Sequence, residues 1–377
     1  MQQASEVKGP STSPQTTLVA ILGRIAAAVV VPLVTFVVLW QGFIFLRDSG
    51  ANQLVIALIA ILWGVGGIGA LFWVANWLVE QLPAIWTRRI QPFVFIGPAM
   101  AILTWFLLLP TLRTFWISLQ SQDPSNTANT RFVGLDNYVR VFTERTMQEA
   151  FRNNILWMVL GTFFCVAIGL LVAILADRSK FETFAKVLIF LPMAISFVGA
   201  GVIWRFIYSF APAGEPQIGL LNAVVTGLGG NPQAWLQLVQ PWNNIFLIIV
   251  LIWLQTGFAV VTLSAALKGV PEDILEASRV DGATEIQIFF RLIIPMIQGT
   301  IITVSTTILI VTLKIFDVVM AMTGGKYGTQ VIATEFYVQF FTNRDFGAGS
   351  AIAIVLLIAV IPVMVYNMRE FNKREVF

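Results

Sequence analysis

Histidine is absent from the 377 residues, and cysteine occurs once, at Cys165. The first absence excludes histidine metal sites and histidine proton relays. The second excludes an intrachain disulfide and leaves Cys165 the role of a small apolar residue. Charge is scarce as well, with Asp, Glu, Lys and Arg at 11% against 57% hydrophobic residues. Together with a mean hydropathy of +0.82, this excludes an ordinary soluble domain, where about a quarter of residues are charged. So few acids, and no histidine, also argue against an enzyme embedded in the membrane. Gly324-Gly325-Lys326 is no phosphate loop, because Tyr327 stands where Ser or Thr is needed and the earlier glycine is missing. The net charge of +3 is accounted for by loop lysines and arginines, so no nucleic-acid partner is expected.

Leu, Ile, Val, Ala and Phe are gathered into long separate runs. A helix needs about 20 mainly apolar residues to cross a bilayer, and eight runs qualify, at about 18–46, 53–79, 92–117, 155–175, 187–210, 244–267, 296–322 and 347–367. Membrane β-strands are excluded, since they are only about ten residues long and alternate in polarity. The fold class is all-α integral membrane, with membrane lipid as the surrounding partner. Residues 1 to 17, rich in Ser, Thr, Gln and Pro, are expected to form a flexible tail. The run that follows is too long for a secretory leader and is expected to remain as an anchor.

Lys and Arg in short loops resist translocation and accumulate in the cytoplasm. With the N-terminus inside, the cytoplasmic set is Lys8, Arg24, Arg88, Arg89, Arg178, Lys180, Lys186, Lys268, Arg279, Arg291, Arg369, Lys373 and Arg374. The opposite side holds fewer, half of them in the long loop from about 118 to 152, where charge counts weigh less. Both termini and the 268 to 295 loop are therefore expected in the cytoplasm.

That loop contains Glu276 to Pro295, E-A-S-R-V-D-G-A-T-E-I-Q-I-F-F-R-L-I-I-P, which is too polar to lie in hydrocarbon. Pro271, Glu272 and Asp273 suit a helix N-terminus. Ile274, Leu275, Ala277 and Val280 supply an apolar side, Asp281-Gly282 a sharp turn, and Thr284 with Gln287 a capping box for a second helix. A helical hairpin on the membrane surface follows. The stretch resembles the coupling loop of ABC importer permeases, with Glu276, Ala277, Ser278, Gly282, Leu292, Ile294 and Pro295 at the family's positions and Ser278 and Leu292 as mild departures. An ordinary surface hairpin would explain the amphipathicity but not this spacing.

Phe132-Val133-Gly134-Leu135-Asp136-Asn137-Tyr138 is similar to a segment that precedes the core of carbohydrate permeases of this type, although a turn before an amphipathic helix at 137 to 151 would read the same way. Taken together, the chain resembles the membrane subunit of a binding-protein-dependent sugar importer of the maltose, α-glucoside or glucosylated-osmolyte kind. The resemblance implies two additional helices at 18–89, a permease core at 90–377 and coupling residues Glu276, Ala277, Ser278, Asp281 and Gly282. It implies four kinds of partner: a second homologous permease, two copies of a cytoplasmic ATPase that bind ATP and Mg, an extracytoplasmic solute-binding protein, and the sugar or osmolyte itself. No cofactor is expected on this chain.

The same resemblance places Leu254, Gln255 and Phe258, with Ile308, Val311, Thr312 and Ile315 across the coupling loop, along the solute path. Gln255 and Thr312 offer hydrogen bonds to hydroxyls and Phe258 an apolar face to a sugar ring, whereas Ile308, Val311 and Ile315 are apolar. Packing is the competing role for each. Lys314 and Asp317, charged within a run, are expected either to pair on one helix face or to line the path. An ion-coupled secondary transporter using that pair is the alternative, although no internal repeats support it. Pro192 is expected to kink span five, Gly199 and Gly201 to permit close helix contact, and Trp204, Arg205 and Tyr208 to anchor the outer end or face the path.

Overall fold

The computed structural model describes residues 14–123, 126–177, 179–212 and 214–372. The expected tail lies outside these residues up to residue 13, as do Lys8, Arg178, Lys373 and Arg374 of the charge count. The chain forms two compact units, Met1–Thr111 and Leu112–Phe377.

In the first unit, α1 (Pro14–Asp48) and α2 (Gln53–Glu80) form a hairpin, and α3 (Ala84–Leu103) returns along α2. The Asn52 side chain caps α2 by accepting from the Leu54 amide. Trp63 donates its indole N–H to the Leu39 carbonyl, and Gln91 reaches Asn76 at 3.1 Å. Almost none of the most apolar stretch of any of these helices is buried. Helices apolar all round yet bare are built for a non-aqueous surround.

A π-helical turn at Thr104–Leu108 carries α3 on into α4 (Leu109–Ser118). Next comes a short antiparallel hairpin, β1 (Gln120–Asp123) with β2 (Asn126–Phe132), which the hydropathy does not announce. The F-x-G-L-x-N-Y segment then folds back on it. Gly134 adopts φ 58°, the left-handed conformation that favours glycine. Buried Asn137 donates to the carbonyls of Ser118 and Gln120, both at 2.9 Å, and the Tyr138 hydroxyl meets Ser118 Oγ at 2.6 Å. The motif thus pins the exit of span three under α5 (Asp136–Thr143), which is half the length expected for the helix at 137 to 151. The remainder belongs to α6 (Arg145–Asp177), which starts ten residues before the apolar run.

The core of the second unit is α6 beside α10 (Trp242–Lys268), running in the same direction. More than half of the most apolar stretch of α10 is buried, more than for any other unbroken span among the described residues. The pair can approach closely because α6 presents Gly161, Cys165, Gly169 and Ala173 at every fourth position, all buried. A methyl group on Gly169 would lie 2.5 Å from the Ala259 Cβ. Cys165 is packed here, as its composition suggested.

Span five is broken rather than kinked. It consists of α7 (Glu182–Phe190), a 3-10 turn at Leu191–Ala194 containing Pro192, and α8 (Phe197–Ile207), with a bend of 100°. Ser196 caps the second half by accepting from the Gly199 amide at 3.0 Å. Among the described residues, seven unbroken helices are long and apolar enough to cross a membrane, and this bent pair, taken as one span, makes the eighth. A Cβ at Gly257 of α10 would sit 2.6 Å from the Ile189 carbonyl oxygen and 2.7 Å from Phe190 Cα, backbone that cannot turn aside. Gly257→Ala should therefore destabilise the protein by about 1–3 kcal/mol, as overpacking does. Thermal unfolding in detergent reads this, and an unchanged midpoint would mean that α7 stands off α10.

The seventh span departs further from expectation. After α9 (Leu220–Gly227), α10, α11 (Glu272–Val280) and α12 (Glu285–Ile288), a π-helical turn at Phe289–Ile293 leads into α13 (Ile294–Leu313), which ends where a continuous helix to 322 was expected. The chain resumes as α14 (Asp317–Met322). Buried Asn154 explains how the break is tolerated: its amide donates to the Leu313 carbonyl at 3.0 Å and its oxygen accepts from the Ile332 amide at 2.8 Å. The loop before α15 (Ile332–Tyr337) is held likewise, Asn153 donating to the Gly328 and Gln330 carbonyls and Asn243 to that of Tyr327. Gly201 of α8 packs against Ala321 of α14, a close contact of the kind expected. A π-helical turn at Val338–Thr342 leads to α16 (Phe346–Asn372), the last span.

Candidate functional site

Between α10 and α13, the polar stretch folds into the expected hairpin. Pro271 sits immediately before α11 as its cap residue, with Glu272 and Asp273 in the first turn. Asp281 ends the helix, and Gly282 turns the chain at φ 85°. Thr284 and Gln287 form the capping box of α12, at 2.9 and 3.3 Å. Glu276, Ala277, Asp281 and Gly282 are exposed, while Ser278 is half-buried with its hydroxyl donating to the Ile274 carbonyl. The two helices are clasped by Arg279 and Glu285 at 2.8 Å. Glu285, and more weakly Glu276 and Glu272, hold the Arg279 guanidinium above its usual pKa. Val280 and Ile286 stand 86% and 71% exposed beside these charges, so the hairpin tip offers apolar knobs ringed by carboxylates, a surface suited to a protein partner.

The residues expected along the solute path divide. Leu254 and Ile315 lie in one buried cluster with Trp157 and Leu251. Thr312 is fully buried, faces Gly161 of α6, and donates its hydroxyl to the Ile308 carbonyl at 2.7 Å. Ile308 is buried too, with Phe258 packed against its cluster. In this conformation the chain's own helices enclose these groups. Phe258 and Val311 are half-buried and Asp317 is exposed. Gln255 is 7% exposed, and its amide forms no hydrogen bond among the described residues.

Lys314 and Asp317 do not pair. The helix ends between them, which removes the three-residue spacing that would bring them together, and both are exposed with no ion pair to each other among the described residues. Trp204 of α8 and Tyr208 at its end instead join a cluster: Trp204 lies 5.3 Å from Tyr208 and 5.7 Å from Trp253, ring centre to ring centre. Tyr208 donates to the Phe246 carbonyl, and Arg205 stays exposed.

Two groups escaped the sequence reading. One is the set of buried asparagines at the start of α6 and α10, signalled only by the pairs Asn153-Asn154 and Asn243-Asn244. The other is an ionic cluster of Asp177, Glu182, Lys186, Ser264 and Lys268, whose pairing nothing in the sequence signals.

A family model described as the binding-protein-dependent transport system inner membrane component matches residues 145–375. The chain belongs to that family. It is a multi-pass inner membrane permease of an ABC importer and not an enzyme. The permease is 51% identical over 282 residues to the osmoprotective compounds uptake permease protein GgtC of Synechocystis, covering 75% of this chain and 99% of that one. It is 44% identical over 342 residues to the alpha-glucoside transport system permease protein AglF of Rhizobium meliloti, covering 86% and 99%. A bacterial alginate ABC transporter chain, solved with an alginate-bound periplasmic protein, shares the fold at a TM-score of 0.62, with 20% identity over 74% of the permease and 93% of that chain. The ion-coupled alternative loses its ground, because its charge pair does not form and the family imports by another means.

Proposed function

We propose that this permease moves a sugar or glucosylated osmolyte of the disaccharide or α-glucoside class into the cytoplasm, as one of two homologous membrane subunits driven by a pair of cytoplasmic ATPases. The observation that carries the coupling half is the hairpin. In a chain otherwise apolar, a capped, exposed unit presents Glu276, Ala277, Ser278, Asp281 and Gly282 together with bare Val280 and Ile286. The substrate half rests on the likeness to GgtC, an osmoprotective compounds uptake permease, and AglF, an alpha-glucoside transport permease. ATP and Mg belong to the ATPases, and this chain binds no cofactor. ATP closes the pair, the hairpins move, and the path opens outward to a solute-binding protein. Hydrolysis returns it inward by alternating access. Both termini and the hairpin lie in the cytoplasm, and residues 18–89 are an addition to the permease core at 90–377.

The test is uptake by proteoliposomes holding the whole transporter, offered maltose, trehalose, sucrose and glucosylglycerol through the co-purified binding protein. One or more is taken up only with ATP inside; transport of none of them would remove the substrate class. Within that class, Gln255 is the polar group of the path with an uncommitted amide. Losing a neutral hydrogen bond costs about 0.5–1.5 kcal/mol, so Gln255→Leu should weaken transport several-fold without loss of assembly. Wild-type rate and affinity in that variant would place the polar path on the partner subunit.

A further inference from the structure

The hairpin has little to push against. Its first helix, α11, packs chiefly on α12, and a cavity of about 740 Å³ separates the hairpin from Leu170, Leu171 and Ile174 of α6. A load applied to α11 therefore reaches the bundle by two routes, through the Arg279–Glu285 clasp into α12 and α13, and through residues 269–271 into the last turn of α10. That turn is where the ionic cluster sits. Lys268 is paired with Glu182 of α7, and Ser264 donates to Asp177 of α6 at 2.7 Å. Lys186 of α7 contacts Asp177 and Ser264 and reaches Glu182 at 2.6 Å.

The cluster thus fastens the ends of three helices at the point where the hairpin leaves the bundle. Lys186 and Asp177 are only 16% and 17% exposed, and charges so withdrawn from water are costly unless each is matched. The attachment is selective as well. α7 has nine residues and is followed by the 100° break, so it can swing with α10 without carrying α8 rigidly along. Its other end bears on Gly257 through Ile189 and Phe190, which supplies a fulcrum.

We propose that Asp177, Glu182, Lys186, Ser264 and Lys268 form the joint through which movement of the coupling hairpin is passed to the broken fifth span. They are positioning residues, remote from the solute, and the inference rests on the coupling reading of the hairpin. Breaking the joint separates hydrolysis from transport and leaves both partners bound.

The experiment uses the complete transporter in proteoliposomes, with the binding protein loaded with whichever panel sugar it retains. Glu182→Gln should leave the ATPase attached and its basal hydrolysis unchanged, while stimulation by the loaded binding protein falls by about tenfold, within the usual range of a coupling energy. Glu182→Asp keeps a carboxylate for both Lys186 and Lys268, and should retain most of the stimulation. Wild-type stimulation in Glu182→Gln would overturn the proposal. So would a Glu182→Asp variant as poorly stimulated as Glu182→Gln, or loss of assembly in Glu182→Gln, since either makes the cluster a plain structural clamp. A wild-type complex whose hydrolysis ignores the binding protein would instead overturn the coupling reading, and this inference with it.

Discussion

Gly282→Val and Glu276→Lys should each abolish solute uptake while the permease still inserts into the membrane. The reasons differ. Gly282 turns the chain at φ 85°, where a β-branched residue is strained by about 1–3 kcal/mol. Nothing lies within 4 Å of a Cβ built there, so the penalty is conformational, and the hairpin relieves it by opening. Opening pulls Arg279 from Glu285 and moves Val280 relative to Ile286. Glu276→Lys leaves the shape alone but reverses a charge on the exposed face of α11. Placing like charge against a partner's basic site costs several kcal/mol, enough to lose association by orders of magnitude. Co-purification of the ATPase with each variant, beside the amount of permease in the membrane, separates lost docking from lost protein. Normal uptake and normal assembly in both variants would remove the hairpin from coupling.

The second large effect is expected at Asn154, which lies 2% exposed and satisfies two otherwise stranded backbone groups, the Leu313 carbonyl and the Ile332 amide. In Asn154→Leu both are left buried, at about 1–3 kcal/mol each, and no water in the bilayer can replace the lost partner. The broken seventh span should then lose its definition. The variant should unfold in detergent many degrees below the wild type, with a sharp drop in recovered protein. Asn154→Asp retains an acceptor for Ile332 but not the donor to Leu313, and should fall between the two. Equal stability of all three would mean that the break in the span is held by other contacts.

Most of the hairpin was legible in the amino acids because its determinants are local: a proline before the first turn, acids behind it, Asp281-Gly282, and a Thr284–Gln287 box three residues apart. The number of spans was legible for a similar reason, since hydrocarbon thickness acts on each run independently. The interruptions were not. Pro192 marked the fifth span for a kink, but a bend of 100° depends on Ser196 capping the second half and on α10 offering Gly257 to the first. At Lys314 to Phe316 the charges of Lys314 and Asp317 mark the place without revealing a break, and the helix stops because a side chain 159 positions earlier takes over its carbonyl. Separations of 78 to 87 positions hid the ionic cluster likewise, whose members come from three helices. Thr312 is instructive in another way: its hydroxyl suggested a solute contact, yet a threonine within a helix can satisfy itself on the carbonyl four residues back, as this one does.

In the function proposed here, this chain converts ATP hydrolysis by bound partners into inward solute movement. The most direct measurement is uptake by sealed proteoliposomes containing this permease, its partner membrane subunit and the ATPases, with labelled solute on the loaded binding protein outside. Uptake should appear with ATP enclosed, vanish when the ATP is replaced by a non-hydrolysable analogue, and persist when ion gradients are collapsed. Uptake that follows an imposed ion gradient and ignores enclosed ATP would contradict the account.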